Sequence, residues 1–494
     1  MYSDTTGYFY TITNSIQQRD GDHVIDIYLA EDVGNYESVP LGHMFYKISP
    51  TALVVTDSLF VADTIGYGIL WARNPWGEGN IRAAFEYHGD CDSSFVRISH
   101  FPDDNLHANP DEDVLVPVCQ GVATNGIYVS LLDCKDDLIM LYYKALTDES
   151  ANQYIARIGL DGTLKQQALL TENLIFNNLS PTGTLRLLKE SPLQYYQWNV
   201  ADDYPNDNLA VYVIDSVFHK NVVILNKMLK SEIVNPNTTI REYLNIGYET
   251  EVVPAEGDNI LVAAQYTHDT NFLTLTRDYG VAVAKYDLRT MQLKGYAVFN
   301  DNHEYYSTGY PMGLKMMRDG TVYFMYKEHG CYPEESVIIV KMDTDLNVEW
   351  KRFCKTGRIS MFSPLESPIV FEDEAGEEKG VAWCGYAIKD GNYNKLGWVY
   401  FMLNHDGTVN AAGEGIEVRP YDFYPNPARS ELHLSYSPDV QPARIELYDL
   451  QGRLIHSQGN SLESVNIQGL AAGQYLMKVT LEDGKEFTDK VVKE

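Results

Sequence analysis

No run of apolar residues approaches the roughly 18 that a membrane-spanning helix needs. The opening residues, Met1 to Gly7, hold neither the basic cluster nor the apolar core of a secretory leader. Basic residues are scarce: 38 Lys and Arg stand against 69 Asp and Glu, a formal net charge of −31. That balance excludes a general affinity for nucleic acid or an anionic lipid surface, because both need a basic footprint. Cysteine is rare as well. The six are Cys91, Cys119, Cys134, Cys331, Cys354 and Cys384, with no CxxC and no Cys/His cluster at zinc spacing. Their even number permits disulfides of open connectivity, and Cys384, inside Val381–Gly385, reads as a buried thiol. HExxH, GxSxG, P-loop, GxGxxG and EF-hand patterns are all missing, which removes the enzyme classes built on them. Carboxylate-based glycosidases survive that filter, since their two acids can lie far apart in sequence. Long helical periodicity is absent from residues 1–416.

What is present is globular and strand-forming. Hydrophobic residues make up 45% and charged residues 22%, so disorder is excluded. Tyr occurs 36 times against 17 Phe, a bias that suits strands and recognition surfaces. A short pattern of apolar, variable, apolar, then Asp, Asn, Ser or Gly recurs seven times, each followed by a turn and another apolar strand. Its fourth positions are 49, 99, 159, 226, 287, 343 and 404. The second position is basic in five copies: Lys47, Arg97, Arg157, Lys285 and Lys341. Period-2 alternation puts that residue on the face opposite its apolar neighbours. A further apolar strand precedes most copies, as in Leu138–Tyr142 and Thr321–Met325. Three or four strands per 50 to 67 residues is the size of a propeller blade. Unrelated sandwich domains, the other reading, need about 100 residues each.

After Gly413–Ile416 the texture changes. Tyr424-Pro425-Asn426-Pro427 is followed by alternating Leu432–Tyr436, then by Ile445–Ile455 with its Asp449-Leu450-Gln451-Gly452-Arg453 turn. Leu470–Val479 and a closing Thr488–Lys493 complete a set of short strands with polar turns, which predicts a small antiparallel sandwich. As a set, these motifs resemble the type A C-terminal sorting domain of the type IX secretion system of Bacteroidetes. The resemblance implies export by a leader absent from this sequence, then secretion or attachment to the outer-membrane surface. It implies the secretion machinery and its sortase as partners, with removal of the tail somewhere in 414–422. Its determinants map onto Tyr424, Pro425, Asn426, Pro427, Asp449, Gly452, Arg453, Gly473, Tyr475, Lys490 and Lys493. Turn-shaping accounts for the Pro, Gly and Asn among them equally well.

The predicted fold is all-β: a seven-bladed β-propeller over 8–416, a linker at 417–423 and an immunoglobulin-like β-sandwich over 424–494. Propeller loops joining strands two and three, and those joining blades, share the usual ligand face. Four long loops there set carboxylates or amides beside a ring, a mixture that suits sugars. They supply Tyr36, then Asp269, Asp278 and Tyr279, then Tyr332, then Tyr393. Trp71 and Trp76 sit in a Pro/Gly-rich loop, where they serve ligand stacking or packing against a neighbouring blade. No cofactor is predicted beyond structural calcium, for which residues 102–113 and 202–208 offer acidic runs that read equally as solvated charge. The expected role is a surface-displayed binding module for a glycan or an extracellular protein. The alternatives are a hydrolase or lyase acting through carboxylates on the loop face, and a structural surface component.

Overall fold

The computed structural model describes residues 2–3, 8–18, 22–34, 37–49, 54–62, 69–73, 80–86, 95–101, 105–108, 112–117, 129–134, 137–147, 150–159, 163–175, 186–190, 193–201, 208–235, 238–246, 250–269, 277–299, 310–328, 336–355, 359–362, 369–372, 377–389, 396–412, 417–424 and 426–494. Among these every regular element is a strand.

A two-residue strand, β1 (Tyr2–Ser3), comes first. The first sheet is β2 (Tyr8–Gln17), β3 (His23–Gly34), β4 (Glu37–Ser49) and β5 (Val54–Ala62). The second is β6 (Ile69–Arg73), β7 (Asn80–Glu86), β8 (Phe95–Phe101) and β9 (Glu112–Pro117). The third is β10 (Val129–Cys134), β11 (Asp137–Thr147), β12 (Ser150–Ile158) and β13 (Leu164–Ile175). The fourth is β14 (Arg186–Glu190), β15 (Leu193–Ala201), β16 (Asn208–Asp215) and β17 (Lys220–Leu225). In the fifth, the hairpin β18 (Met228–Asn235) and β19 (Thr238–Asn245) joins β20 (Glu251–Pro254), β21 (Asn259–Asp269), β22 (Arg277–Asp287) and β23 (Gln292–Phe299). Both β19 and β20 pair with β21, along different halves of it. The sixth is β24 (Tyr310–Met316), β25 (Val322–Glu328), β26 (Ser336–Met342) and β27 (Val348–Lys355). The seventh is β28 (Ile359–Phe362), β29 (Ile369–Glu372), β30 (Glu378–Lys389), β31 (Leu396–Asn404) and β32 (Val409–Ala412). Strand β1 returns to this last sheet, antiparallel to β31.

Neighbouring strands in every sheet run antiparallel, and the apolar cores lie between consecutive sheets. Val211, Val223, Val262 and Ala284 join the fourth and fifth. Leu261, Val283, Phe324 and Ile338 join the fifth and sixth. Ile339, Trp350, Val381 and Leu403 join the sixth and seventh. Strands β21 and β22 of the fifth sheet thus alternate between two cores, which accounts for a continuous apolar run such as Ile260–Ala264.

The recurring turn is a structural device. The Oδ1 of Asp215 accepts the N–H groups of Val217 and His219 at 2.9 and 2.8 Å. That of Asp343 accepts those of Asp345 and Asn347, each at 2.9 Å. The fourth turn residue is left-handed: Phe218 at φ 67°, Leu346 at 68°, Gly407 at 74°. Two expected copies move, the first of them because Ser99 lies inside β8, two residues before its end. Val223–Leu225 lies in the outermost strand β17, with Asn226 just past its end, and the equivalent turn is Asp215–His219. An outermost strand followed by Asn mimics the marker, and the inserted β18–β19 hairpin lengthens the next interval. The recurring basic residue ties sheets together. Arg157 donates to the Ser216 carbonyl at 2.8 Å, and Lys285 to Asp345 Oδ1 at 3.0 Å, each in the turn of the following sheet.

Beyond residue 416, β33 (Glu417–Arg419) adds to the outer edge of β27. Two further sheets follow. One holds β34 (Tyr421–Tyr424), β35 (Glu431–Tyr436) and β38 (Ser464–Asn466). The other holds β36 (Pro442–Tyr448), β37 (Leu454–Gln458), β39 (Gly473–Leu481) and β40 (Glu486–Lys493). They share one core that includes Leu432, Ile445, Leu447, Val465, Met477, Val479 and Val491.

Candidate functional site

Of the predicted ligand residues, Tyr36, Trp76, Tyr332 and Tyr393 lie outside the described residues. Trp71 stands in β6, in register with Arg82. Asp269, Asp278 and Tyr279 come together at the far end of the β21–β22 ladder. Register there builds two rows across three strands. Arg241, Asp269 and Arg277 form one. Glu242, His268 and Asp278 form the other. Residues directly opposite one another share a face and successive residues alternate, so the two aspartate positions occupy opposite faces. Glu242 accepts a 2.7 Å hydrogen bond from the Tyr296 hydroxyl, whose pKa burial and this carboxylate push up to about 12. Neither Glu242 nor His268 is among the predicted ligand residues; His268 lies inside the predicted loop, and Glu242 in β19 enters only through its register with β21.

Among the described residues, no group of three or more His, Cys, Asp or Glu is placed to hold a metal. Of the calcium candidates, residues 102–104, 109–111 and 202–207 lie outside the described residues. Asn105 accepts the His107 N–H at 2.9 Å within its own turn. Cys354 is a buried free thiol, its pKa pushed up by burial. No described helix is long and apolar enough to cross a membrane.

In the tail, the predicted sorting residues are largely tied into the fold. Tyr424 pairs with His433 in the β34–β35 ladder, and Pro425 lies outside the described residues. The Asn426 side chain donates to the Lys490 carbonyl at 3.0 Å and accepts the Val492 N–H at 2.8 Å. This closes the chain before Pro427 onto β40. The Asp449 carboxylate accepts the N–H groups of Gln451 and Arg453 and the Arg453 Nε at 2.6 Å. These bonds hold its pKa below the usual range, the Arg453 N–H first among them. Gly452, at φ 78°, occupies the left-handed position this turn requires. Gly473 pairs with Lys493 across β39–β40, and Tyr475 donates to the Ala471 carbonyl at 2.8 Å. Lys490 is exposed, while Lys493 is buried.

A contact unforeseen from the sequence joins the tail to the body. The ladder pairs Phe353 with Arg419 and Lys355 with Glu417. Where β33 ends, the Ser437 hydroxyl takes over and accepts the Lys351 N–H at 2.7 Å. Beside it Arg352, 7% exposed, spreads its guanidinium over three units. It donates to both Asp439 oxygens at 2.7 and 3.0 Å, and to Ser437 Oγ at 3.1 Å, in the tail. It also donates to the Gly407 and Asp406 carbonyls at 2.9 and 3.0 Å, in the seventh sheet. Its Cζ lies over the Trp350 ring, 4.9 Å from the ring centroid. Burial works to raise the Asp439 pKa, but Arg352 and Ser437 outweigh it and hold the carboxyl below the usual range. Further along, buried Arg419 pairs with Asp489 of β40, which also accepts the Tyr421 hydroxyl.

No curated protein matches the chain. Solved structures resemble it only distantly. The subtype N10 neuraminidase-like protein of A/little yellow-shouldered bat/Guatemala/060/2010 is 8% identical with a TM-score of 0.36, over 70% of this chain and all of that one. A Synechocystis apocarotenoid oxygenase mutant is 9% identical with a TM-score of 0.37, over 84% and 93%. The WD40 domain of SCAP from fission yeast is 10% identical with a TM-score of 0.36, over 88% and 96%. Residues 422–494 match the family described as the secretion system C-terminal sorting domain. The chain therefore ends in a type IX sorting domain, joined through β33 to the β27 edge of the sixth sheet, and such a tail implies an exported protein.

Proposed function

We propose that the seven sheets before the tail are the blades of a propeller over 8–416, and that the tail is an immunoglobulin-like sandwich. Support comes from β2, which lies against β6 of the second sheet and β29 of the seventh, and from β1, which joins the first and last sheets by pairing with β31. The ring acts outside the cell as a non-enzymatic binding module for a glycan, with an extracellular protein as the other ligand class. The observation that carries this reading is the end of the β21–β22 ladder. Charged positions of both signs stand there in two rows, and position Tyr279, two residues on from Arg277, shares the face of the Arg241–Asp269–Arg277 row. Such a mixture hydrogen-bonds a sugar rim and offers a ring to its C–H face.

A hydrolase is the second reading, because Glu242 and Asp278 share one face with His268 between them. Two strand spacings, about 9.5 Å, separate their backbones, near the upper limit for an inverting carboxylate pair. Asp269 and Asp278, on opposite faces, form no such pair. The test is the full chain on a mixed array of glycans and extracellular-matrix proteins, with mass spectrometry of the ligands afterwards. Retention on glycans without mass change, weakened in Tyr279→Ala, supports the proposal. Retention on proteins alone moves the ligand to the other class. Cleaved products overturn the binding reading.

A further inference from the structure

Arg352 is held from the body before it meets the tail. The Asp406 and Gly407 carbonyls orient its guanidinium from the seventh sheet, and Trp350 lies against its plane. That turn is itself fixed. Trp350 Nε1 donates to the His405 carbonyl at 2.9 Å. His405 Nε2 donates to the Glu378 carbonyl at 2.8 Å, which leaves Nδ1 to accept from the Tyr323 hydroxyl at 3.0 Å. Gly407 belongs to the seventh sheet, yet the tail's partner Arg352 leaves it no room for a side chain. A Cβ there would stand 2.6 to 2.8 Å from Arg352 Nε, Nη2 and Cζ. The fork that grips Asp439 is therefore set by a turn of a different sheet.

We propose that this arrangement is a latch. The sorting tail docks only when the sixth and seventh sheets are joined, because their junction presents Arg352 to Asp439 and Ser437. An Arg fork that meets a carboxylate with two parallel bonds tolerates little displacement. A sixth sheet without its neighbour retains the β27 edge but loses the two carbonyls that aim the fork. Tail position thus reports the completion of the body's last two sheets.

Hydrogen–deuterium exchange on the full chain tests this, with Gly320→Ala as the strain control. Gly320 is left-handed at φ 87° like Gly407, but its nearest Cβ neighbour would be 3.9 Å away. In Arg352→Ala, Asp439→Asn and Gly407→Ala, exchange at 417–421 and 436–440 is expected to rise about tenfold to a hundredfold, the range for a lost hydrogen bond to a charged group. Protection at 475–481, inside the tail core, is expected to persist, and Gly320→Ala is expected to leave all three segments unchanged. Unchanged protection at 417–421 in Gly407→Ala overturns the proposal, as does unchanged protection in Asp439→Asn. Loss of protection at 475–481 in either variant overturns it too, since the tail would then be unfolding rather than undocking.

Discussion

Phe218 and Leu346 hold left-handed backbones at φ 67° and 68° while only 4% and 8% exposed. The conformation costs an L-residue about 1–2 kcal/mol, and burying a phenylalanine returns about 1.5–3 kcal/mol. In Phe218→Ala the ring is lost and the strain kept; in Phe218→Gly both go. The Gly variant is expected to be the more stable, by about 0.5–1 kcal/mol in denaturant unfolding, the reverse of their order in a helix. Equal midpoints would mean that the turn relaxes once the ring is gone. Asp439 sets a pH limit on docking. Its folded-state pKa lies below the ordinary 3.8, with Arg352 the charged partner facing it. Its contribution is therefore complete above the unfolded pKa and disappears as pH falls through the folded value. Protection at 436–440, taken relative to the intrinsic exchange rate at each pH, is expected to fall on acidification below pH 3.8, and Asp439→Asn to remove that component.

Between sheets, the recurring basic residue works through different partners and should differ in weight. Lys285 reaches Asp345, which is 79% exposed, so Lys285→Ala is expected to cost no more than about 0.5 kcal/mol. Arg157 grips a backbone carbonyl and lies 5.5 Å from the Phe218 ring, so Arg157→Ala is expected to cost about 1–2 kcal/mol. Thermal unfolding of both variants orders them, and a larger effect for Lys285 would contradict this account. Elements of this kind were legible because period-2 alternation and Asp-led turns are local. Five of the seven expected turn markers stand at strand ends where the sequence places them; Ser99 falls two residues inside β8, and the fourth copy fails because Leu225-Asn226 copies the local pattern without its place in the sheet. The Arg352 clamp was not legible. Its partners in the seventh sheet and the tail are 54 to 87 residues away, and its one local sign is an Arg at the inward position between buried Trp350 and Cys354. The ligand side was half legible: composition marked the Thr267–Tyr279 loop, but only register sorts its carboxylates onto opposite faces.

For the molecule as a whole, −31 of net charge repels itself. Raising salt to about 0.5 M shortens the screening length to a few ångströms, so Tm is expected to rise by a few degrees. A fall would mean that pairs such as Arg352–Asp439 outweigh the general repulsion. The placement of β33 bears on how body and tail part company. Its three residues precede the tail in sequence but belong to the body's sheet by hydrogen bonding. A backbone cut within 413–416 therefore leaves the strand, the Ser437 hydroxyl and the Asp439 carboxylate all seated on β27. Such a nicked protein would run as two chains in detergent and as one particle in a native gel. Scission and departure are separate events, and the second has its own rate.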